Sequence, residues 1–237
     1  MKAEVRKKHI FVVGGSGGLG SKICEFFIKN GWICSILTKN NNKSGDFCLN
    51  LQADLKDWGQ VQRVINKLQK QGVALDAVVF AGGLVQDQLI MKMSENQWDE
   101  VASVNLKSVA ILMQGLWPLL KRSGGGHFVS VGSIVGVIGR AGQANYAAAK
   151  AGLIALSKSA AQEWGPDNIR SHVILPGFLK TNMTASFSAE QIQKIEEQNV
   201  LGRIGTLEEV ARFVFFLCST EHISGQVFNL DSRILPG

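Results

Sequence analysis

A chain of 237 residues, 46% hydrophobic and 19% charged, lies at the upper end of the single-domain range and is neither disordered nor fibrous in composition. Its longest apolar runs, such as 109–113 and 214–218, fall far short of the roughly 20 residues that span a bilayer. The net charge of +6 is modest, and Lys and Arg are spread along the chain with no aromatic-basic stripe, which argues against nucleic acid and leaves a steering effect on an acidic partner or anionic cofactor.

The basic start, residues 2–8, reads as a solvated lead into an apolar stretch and leaves no room for a secretory leader. Cys24, Cys34, Cys48 and Cys218 are scattered without paired spacing, so they are expected to be reduced, mostly core thiols of a cytoplasmic protein that binds no metal. In chain order the pattern predicts strand 9–13, helix 21–30, strands 33–37 and 47–51, helix 58–70, strand 77–80 and helix 94–121. Strand 127–131, helix 145–163, strand 171–175, helices 189–198 and 207–217, and strand 227–230 complete the series. Capping-box spacing marks three helix starts: Ser94 with Gln97, Ser188 with Gln191, and Thr206 with Glu209. Continuously apolar strands alternating with helices imply an α/β fold, a doubly wound parallel sheet of about seven strands with helices on both faces. No Pro- or Ser-rich linker divides it, so residues 1–237 are expected to form one domain.

Directly after the first strand, five glycines fall within the seven residues Gly14-Gly15-Ser16-Gly17-Gly18-Leu19-Gly20, and an amphipathic helix follows. Glycines permit a tight turn and close approach of a pyrophosphate, and the helix N-terminus supplies N–H donors, so the context is that of a Rossmann-like dinucleotide site. A carboxylate at the end of the second strand would suit the ribose diol of NADH. That end here is Leu37-Thr38-Lys39-Asn40, with one lysine and no acid, which favours NADPH through Lys39 and leaves NADH possible; Lys39 also reads as an ordinary loop lysine.

Tyr146, the single tyrosine, stands four residues before Lys150 and so on the same helical face. A phenol beside an ammonium group suits proton transfer, because the cation favours phenolate and lowers its pKa. Asn105, Ser133, Tyr146 and Lys150, with the glycine turn upstream and Pro176-Gly177-Phe178-Leu179-Lys180-Thr181 downstream, resemble the short-chain dehydrogenase/reductase family over essentially the whole chain. Within it the resemblance is closest to β-ketoacyl-acyl-carrier-protein reductases, through the segments starting at Asp87, Asn105, Gly132, Gly142 and Pro176. The resemblance implies Tyr146 as general acid, Lys150 as its modulator and a ligand of the nicotinamide ribose, and Ser133 as the donor that aligns the carbonyl oxygen. It implies that Asn105 interrupts a long helix and holds a relay water. It further implies cofactor contacts from Asp54 and Leu55 at the adenine, from Ala81 and Gly82 beside the backbone, and from Pro176, Gly177, Leu179 and Thr181.

The pattern is broken in places. Val79-Phe80 stand where the family carries two asparagines, Val13 and Gly17 replace a threonine and an arginine of the glycine turn, and Asp231-Ser232 replace a glycine pair. The segment 176–205, which closes over substrate in this fold, holds one short helix and no large insertion, suiting a substrate carried on a flexible thioester arm. The expected activity is NADPH-dependent reduction of a 3-oxoacyl thioester, linked to acyl carrier protein or CoA, in fatty-acid-type synthesis. Lys121, Arg122 and Arg140 are the candidate docking cations for an acidic carrier protein. Long apolar helices and Phe213, Phe215, Phe216 and Phe228 suggest further buried surface, and the resemblance implies a homotetramer. The alternatives are reduction of another ketone, quinone or alcohol, and a cofactor-binding structural subunit.

Overall fold

The computed structural model describes residues 6–40 and 47–234; Lys2 of the basic start lies outside them. The chain runs β1 (His9–Val13), α1 (Gly18–Lys29), β2 (Ile33–Thr38), β3 (Leu49–Gln52), α2 (Trp58–Lys70), β4 (Ala77–Phe80) and α3 (Glu95–Ala102). It continues through α4 (Ser108–Arg122), β5 (Gly126–Val131), α5 (Val135–Ile138), α6 (Ala144–Trp164), β6 (Ile169–Leu175), α7 (Ala189–Glu197), α8 (Leu207–Leu217) and β7 (Val227–Asn229). The strands form one seven-stranded sheet in the order β3-β2-β1-β4-β5-β6-β7, and every neighbouring pair is parallel.

The unbroken apolar run of β1 follows from its central place. Phe11 and Val13 enter a core built with α2, α4 and α6, whereas Ile10 and Val12 face the opposite core, built with α1 and α8. A strand covered on both sides has no solvent face to furnish with polar residues. All three anticipated capping boxes form, at Ser94, Ser188 and Thr206. Around α1 and α8, Phe215 meets Phe26, Phe27 and Trp32 ring to ring, and Phe213 meets Phe228. Phe216 is 54% exposed on the single chain. Three of the four cysteines are buried, and Cys48 is exposed.

The predicted helix 94–121 is divided. Between α3 and α4, residues Ser103–Lys107 form a π turn centred on buried Asn105. The cause is local: Asn105 Nδ2 donates to the Val101 carbonyl at 2.9 Å, an i−4 acceptor that the helix ladder would otherwise use. β3 begins at Leu49 rather than 47, and only Leu51 of it is buried, as an edge strand allows. The short helix α5 was not anticipated, because four residues carry too little periodicity to register.

Parallel pairing brings the C-terminal ends of all seven strands to one rim. The sheet order reverses between β1 and β4, and there the crevice of a doubly wound sheet opens. No helix among the described residues is long and apolar enough to cross a membrane.

Candidate active site

The crevice is floored by backbone. Gly14 follows β1 with φ +80°, its N–H bonded to the Leu37 carbonyl at 2.8 Å. A Cβ on Gly14 would lie 2.8 Å from the amide nitrogen of Gly82, which follows β4, so the two loops touch main chain to main chain. Gly20 is equally constrained, since a Cβ there would sit 2.2 Å from the Gly14 carbonyl oxygen. Ser16 and Gly17 are exposed, Leu19 is buried, and Gly17 ends the turn without a side-chain cap on the first amides of α1. Those amides are free to meet an anion. Gly18 packs against the Thr181 side chain, joining the turn to the segment after β6.

Leu55 lies over Gly82, and Ala81 N donates to the Val13 carbonyl at 2.9 Å. At the end of β2 the exposed Lys39 ammonium pairs with Asp54 at 3.0 Å. Burial pushes the Asp54 carboxyl up, but the Lys56 amide and the Lys39 ammonium outweigh it and hold its pKa below the usual value. Pro176 is buried, Gly177 takes φ +72°, and the Leu179 side chain sits in the core of α1 and α8. The expected nucleotide contacts therefore border one crevice, with Leu179 set beneath it. A dinucleotide fits: the cradle is one that added Cβ atoms would fill, its anion-facing amides carry no side-chain cap, and a lysine stands at its rim.

Across the rim, Tyr146 and Lys150 project from α6. Lys150 is 2% exposed, its Nζ donates to the Val131 carbonyl at 2.7 Å and lies 5.5 Å from the centroid of the Tyr146 ring. Burial pulls its pKa down to about 8. The phenol behaves differently from the sequence expectation. Burial pushes the Tyr146 pKa up, interaction with the Ser133 hydroxyl pulls it down, and the Asp87 carboxylate raises it further. In the chain by itself the desolvation of phenolate is the largest of these effects. Ser133 Oγ also accepts from Val135 N at 3.2 Å, which begins α5. Asn105 Oδ1 accepts from Leu84 N at 3.3 Å and its Nδ2 donates to Leu84 O at 2.7 Å, pinning the loop after β4.

Three further groups, absent from the expected site, pack around the stretch of α6 that carries Tyr146 and Lys150. Gln143 Nε2 donates to both Asp87 carboxylate oxygens, at 2.9 and 3.1 Å. Asn145 Nδ2 donates to the carbonyls of Gln86 and Gln97, while its Oδ1 accepts from Tyr146 N at 2.7 Å. Gly136 is the third: a Cβ there would lie 2.8 Å from the Lys150 backbone, so α5 rests directly on α6 at the lysine. The clustering of Gln143 and Asn145 just ahead of the sole tyrosine was a usable signal; the contact of Gly136 was not.

The expected docking cations divide. α4 runs back against the strand direction, so its end lies at the opposite edge of the sheet. There Lys121 pairs with Asp167 at 2.7 Å, and Arg122 borders Gly72 after α2. Neither flanks the crevice, which corrects that expectation. Arg140 does remain nearby, stacked 5.8 Å over the Phe187 ring of segment 176–205.

Comparison with known proteins follows the same lines. A family model described as enoyl-(acyl carrier protein) reductase matches residues 19–232. The 3-oxoacyl-(acyl-carrier-protein) reductase FabG of Salmonella typhimurium is 34% identical over 233 residues, spanning 94% of this chain and 96% of the relative. Its Escherichia coli namesake is 32% identical over 235 residues, spanning 94% and 96%. A solved short chain dehydrogenase family protein from Francisella tularensis superposes with a TM-score of 0.86 at 22% identity, covering 96% of this chain and 98% of the other.

Proposed function

The chain belongs to the short-chain dehydrogenase/reductase family of nicotinamide-dependent oxidoreductases, and from that premise we propose that it reduces 3-oxoacyl thioesters to 3-hydroxyacyl thioesters with NADPH. One observation carries the reading. The Tyr146 ring, with the buried Lys150 ammonium 5.5 Å from its centroid, and Ser133 at the start of α5 stand on the same rim as the glycine-floored crevice.

Reduced nicotinamide, when bound, supplies a hydride to the carbonyl carbon. As the C=O π pair moves onto oxygen, negative charge grows there and needs a donor within hydrogen-bond reach. Ser133 orients that oxygen, and Tyr146 gives it the phenolic proton. Lys150, anchored to the Val131 carbonyl, holds positive charge beside the ring and eases loss of the phenolic proton. Asn105 keeps the loop after β4 in place through Leu84. Gly14, Ser16, Gly17, Gly18, Leu19 and Gly20 would take the pyrophosphate, Asp54 and Leu55 the adenine, and Lys39 a ribose 2′-phosphate, which favours NADPH over NADH.

An acyl thioester suits the mouth. The loops that meet where Gln88 N donates to the Gly142 carbonyl carry exposed Leu89, Ile90 and Met91 on one side and Val137 and Ile138 on the other. Arg140 is the remaining cation placed to meet an acidic carrier protein, and a homotetramer accords with the exposed apolar side chains. The test is loss of NADPH absorbance with acetoacetyl thioesters beside simple ketones and quinones. Tyr146→Phe should lower turnover by about 10²-fold or more without changing Tm, as loss of a general acid does. Near-normal turnover by that variant removes Tyr146 from the mechanism, and cofactor binding without turnover of any carbonyl favours a structural subunit.

A further inference from the structure

The turn after β7, at Asp231-Ser232, touches both stems of the segment 176–205. At the first stem the Asp231 side chain, 3% exposed, lies on the backbone of Gly177: a Cβ on Gly177 would meet Asp231 Oδ2 at 2.6 Å. That carboxylate is itself fixed, accepting from Arg233 N at 3.0 Å and from Arg233 Nε at 2.6 Å. At the second stem, Ser232 Oγ donates to Asn199 Oδ1 at 2.9 Å, and Val200 N donates to the Ser232 carbonyl at 3.4 Å. Asn199 is 6% exposed and closes the end of α7 by donating to the Ile195 carbonyl at 2.8 Å. Between the stems lie Leu179, Thr181, which contacts Gly18 of the glycine turn, and Phe187, which contacts Arg140 at the mouth.

We infer that Asp231 and Ser232 are positioning residues that clamp the segment 176–205 at both ends and so set affinity for nucleotide and substrate without touching the reacting atoms. The consequence for affinity rests on the reductase reading; the clamp itself does not. A clamp lost at one stem leaves the phenol, lysine and serine undisturbed, since Tyr146 and Lys150 stand on α6 and Ser133 in the turn between β5 and α5. The cost then falls on binding rather than on chemistry.

The test combines two measurements on the full chain. Hydrogen exchange of residues 177–205, without added ligand, reads the clamp directly; KM and kcat with NADPH and acetoacetyl thioester read its consequence. Ser232→Ala should speed exchange at residues 199–201 and raise KM about five-fold, the loss of one neutral hydrogen bond, with kcat within about two-fold. Ser232→Thr, which keeps the hydroxyl, should restore both. Asp231→Ala should speed exchange near Gly177, and Asp231→Glu serves where the alanine variant fails to fold. Unchanged exchange in Ser232→Ala and Asp231→Ala overturns the clamp. Faster exchange with unchanged KM overturns its role in affinity. Faster exchange in a chain that reduces no carbonyl at all upholds the clamp and removes only the reductase reading.

Discussion

Lys150 offers a direct measure of the site through pH. Its pKa falls from 10.5 to about 8 because burial disfavours the ammonium, while the unfolded chain keeps the ordinary value. Between those values the unfolded state binds more protons, so stability rises with pH from about 8 toward 10.5 and the cost is fully present below 8. At about 1.36 kcal/mol per pH unit the whole cost is roughly 3 kcal/mol, and about 2.5 kcal/mol of it should be recovered between about pH 7 and 10. Urea unfolding of Tyr146→Phe and of Tyr146→Phe/Lys150→Met across that range isolates the amine, with the phenol removed from both. Methionine leaves the Val131 carbonyl without its donor, a loss that does not vary with pH and so drops out of the slope. The lysine-containing variant should gain about 2.5 kcal/mol on its partner from about pH 7 to 10. Parallel curves would refute the buried ammonium. The same titration predicts that kcat/KM for reduction falls as pH rises through about 8.

Two further outcomes follow from the crevice. Gly20→Ala forces a methyl group to within 2.2 Å of the Gly14 carbonyl, so nucleotide binding should be lost and stability should fall by about 1–3 kcal/mol. Gly165→Ala, with open space around its Cβ, is the control expected to change neither; calorimetry and NADPH fluorescence titration read both. Lys39→Ala should raise KM for NADPH roughly five- to ten-fold, as expected for a charged hydrogen bond, and leave KM for NADH unchanged. An equal effect on both cofactors removes Lys39 from the choice between them.

Much of this architecture was legible because it rests on local rules. The apolar run of β1 announced a strand covered on both faces, and Ser94, Ser188 and Thr206 each sit three residues before the partner that completes the cap. What escaped depended on contacts between distant residues. Gly136 matters because it meets Lys150, and nothing in its neighbours says so. Lys121 and Arg122 are near the strand β5 in sequence, but helix direction carries them to the far edge. The proton affinity of Tyr146 was misread for a related reason: spacing places a cation beside the phenol, whereas desolvation depends on everything packed around it.

The central position of β1 bears on how the protein is made. Its two neighbours are β2, about twenty residues later, and β4, which begins only at Ala77, with β5 to β7 added beyond it on one side. As the polypeptide leaves the ribosome, the first strand to emerge has one flank unpaired until residue 80 is available. A nascent chain halted before that point presents an apolar ribbon with vacant amides and carbonyls, a template for association with other chains. Translation and folding are thereby coupled, and truncated products ending within the first third should depend on chaperones far more than the finished molecule.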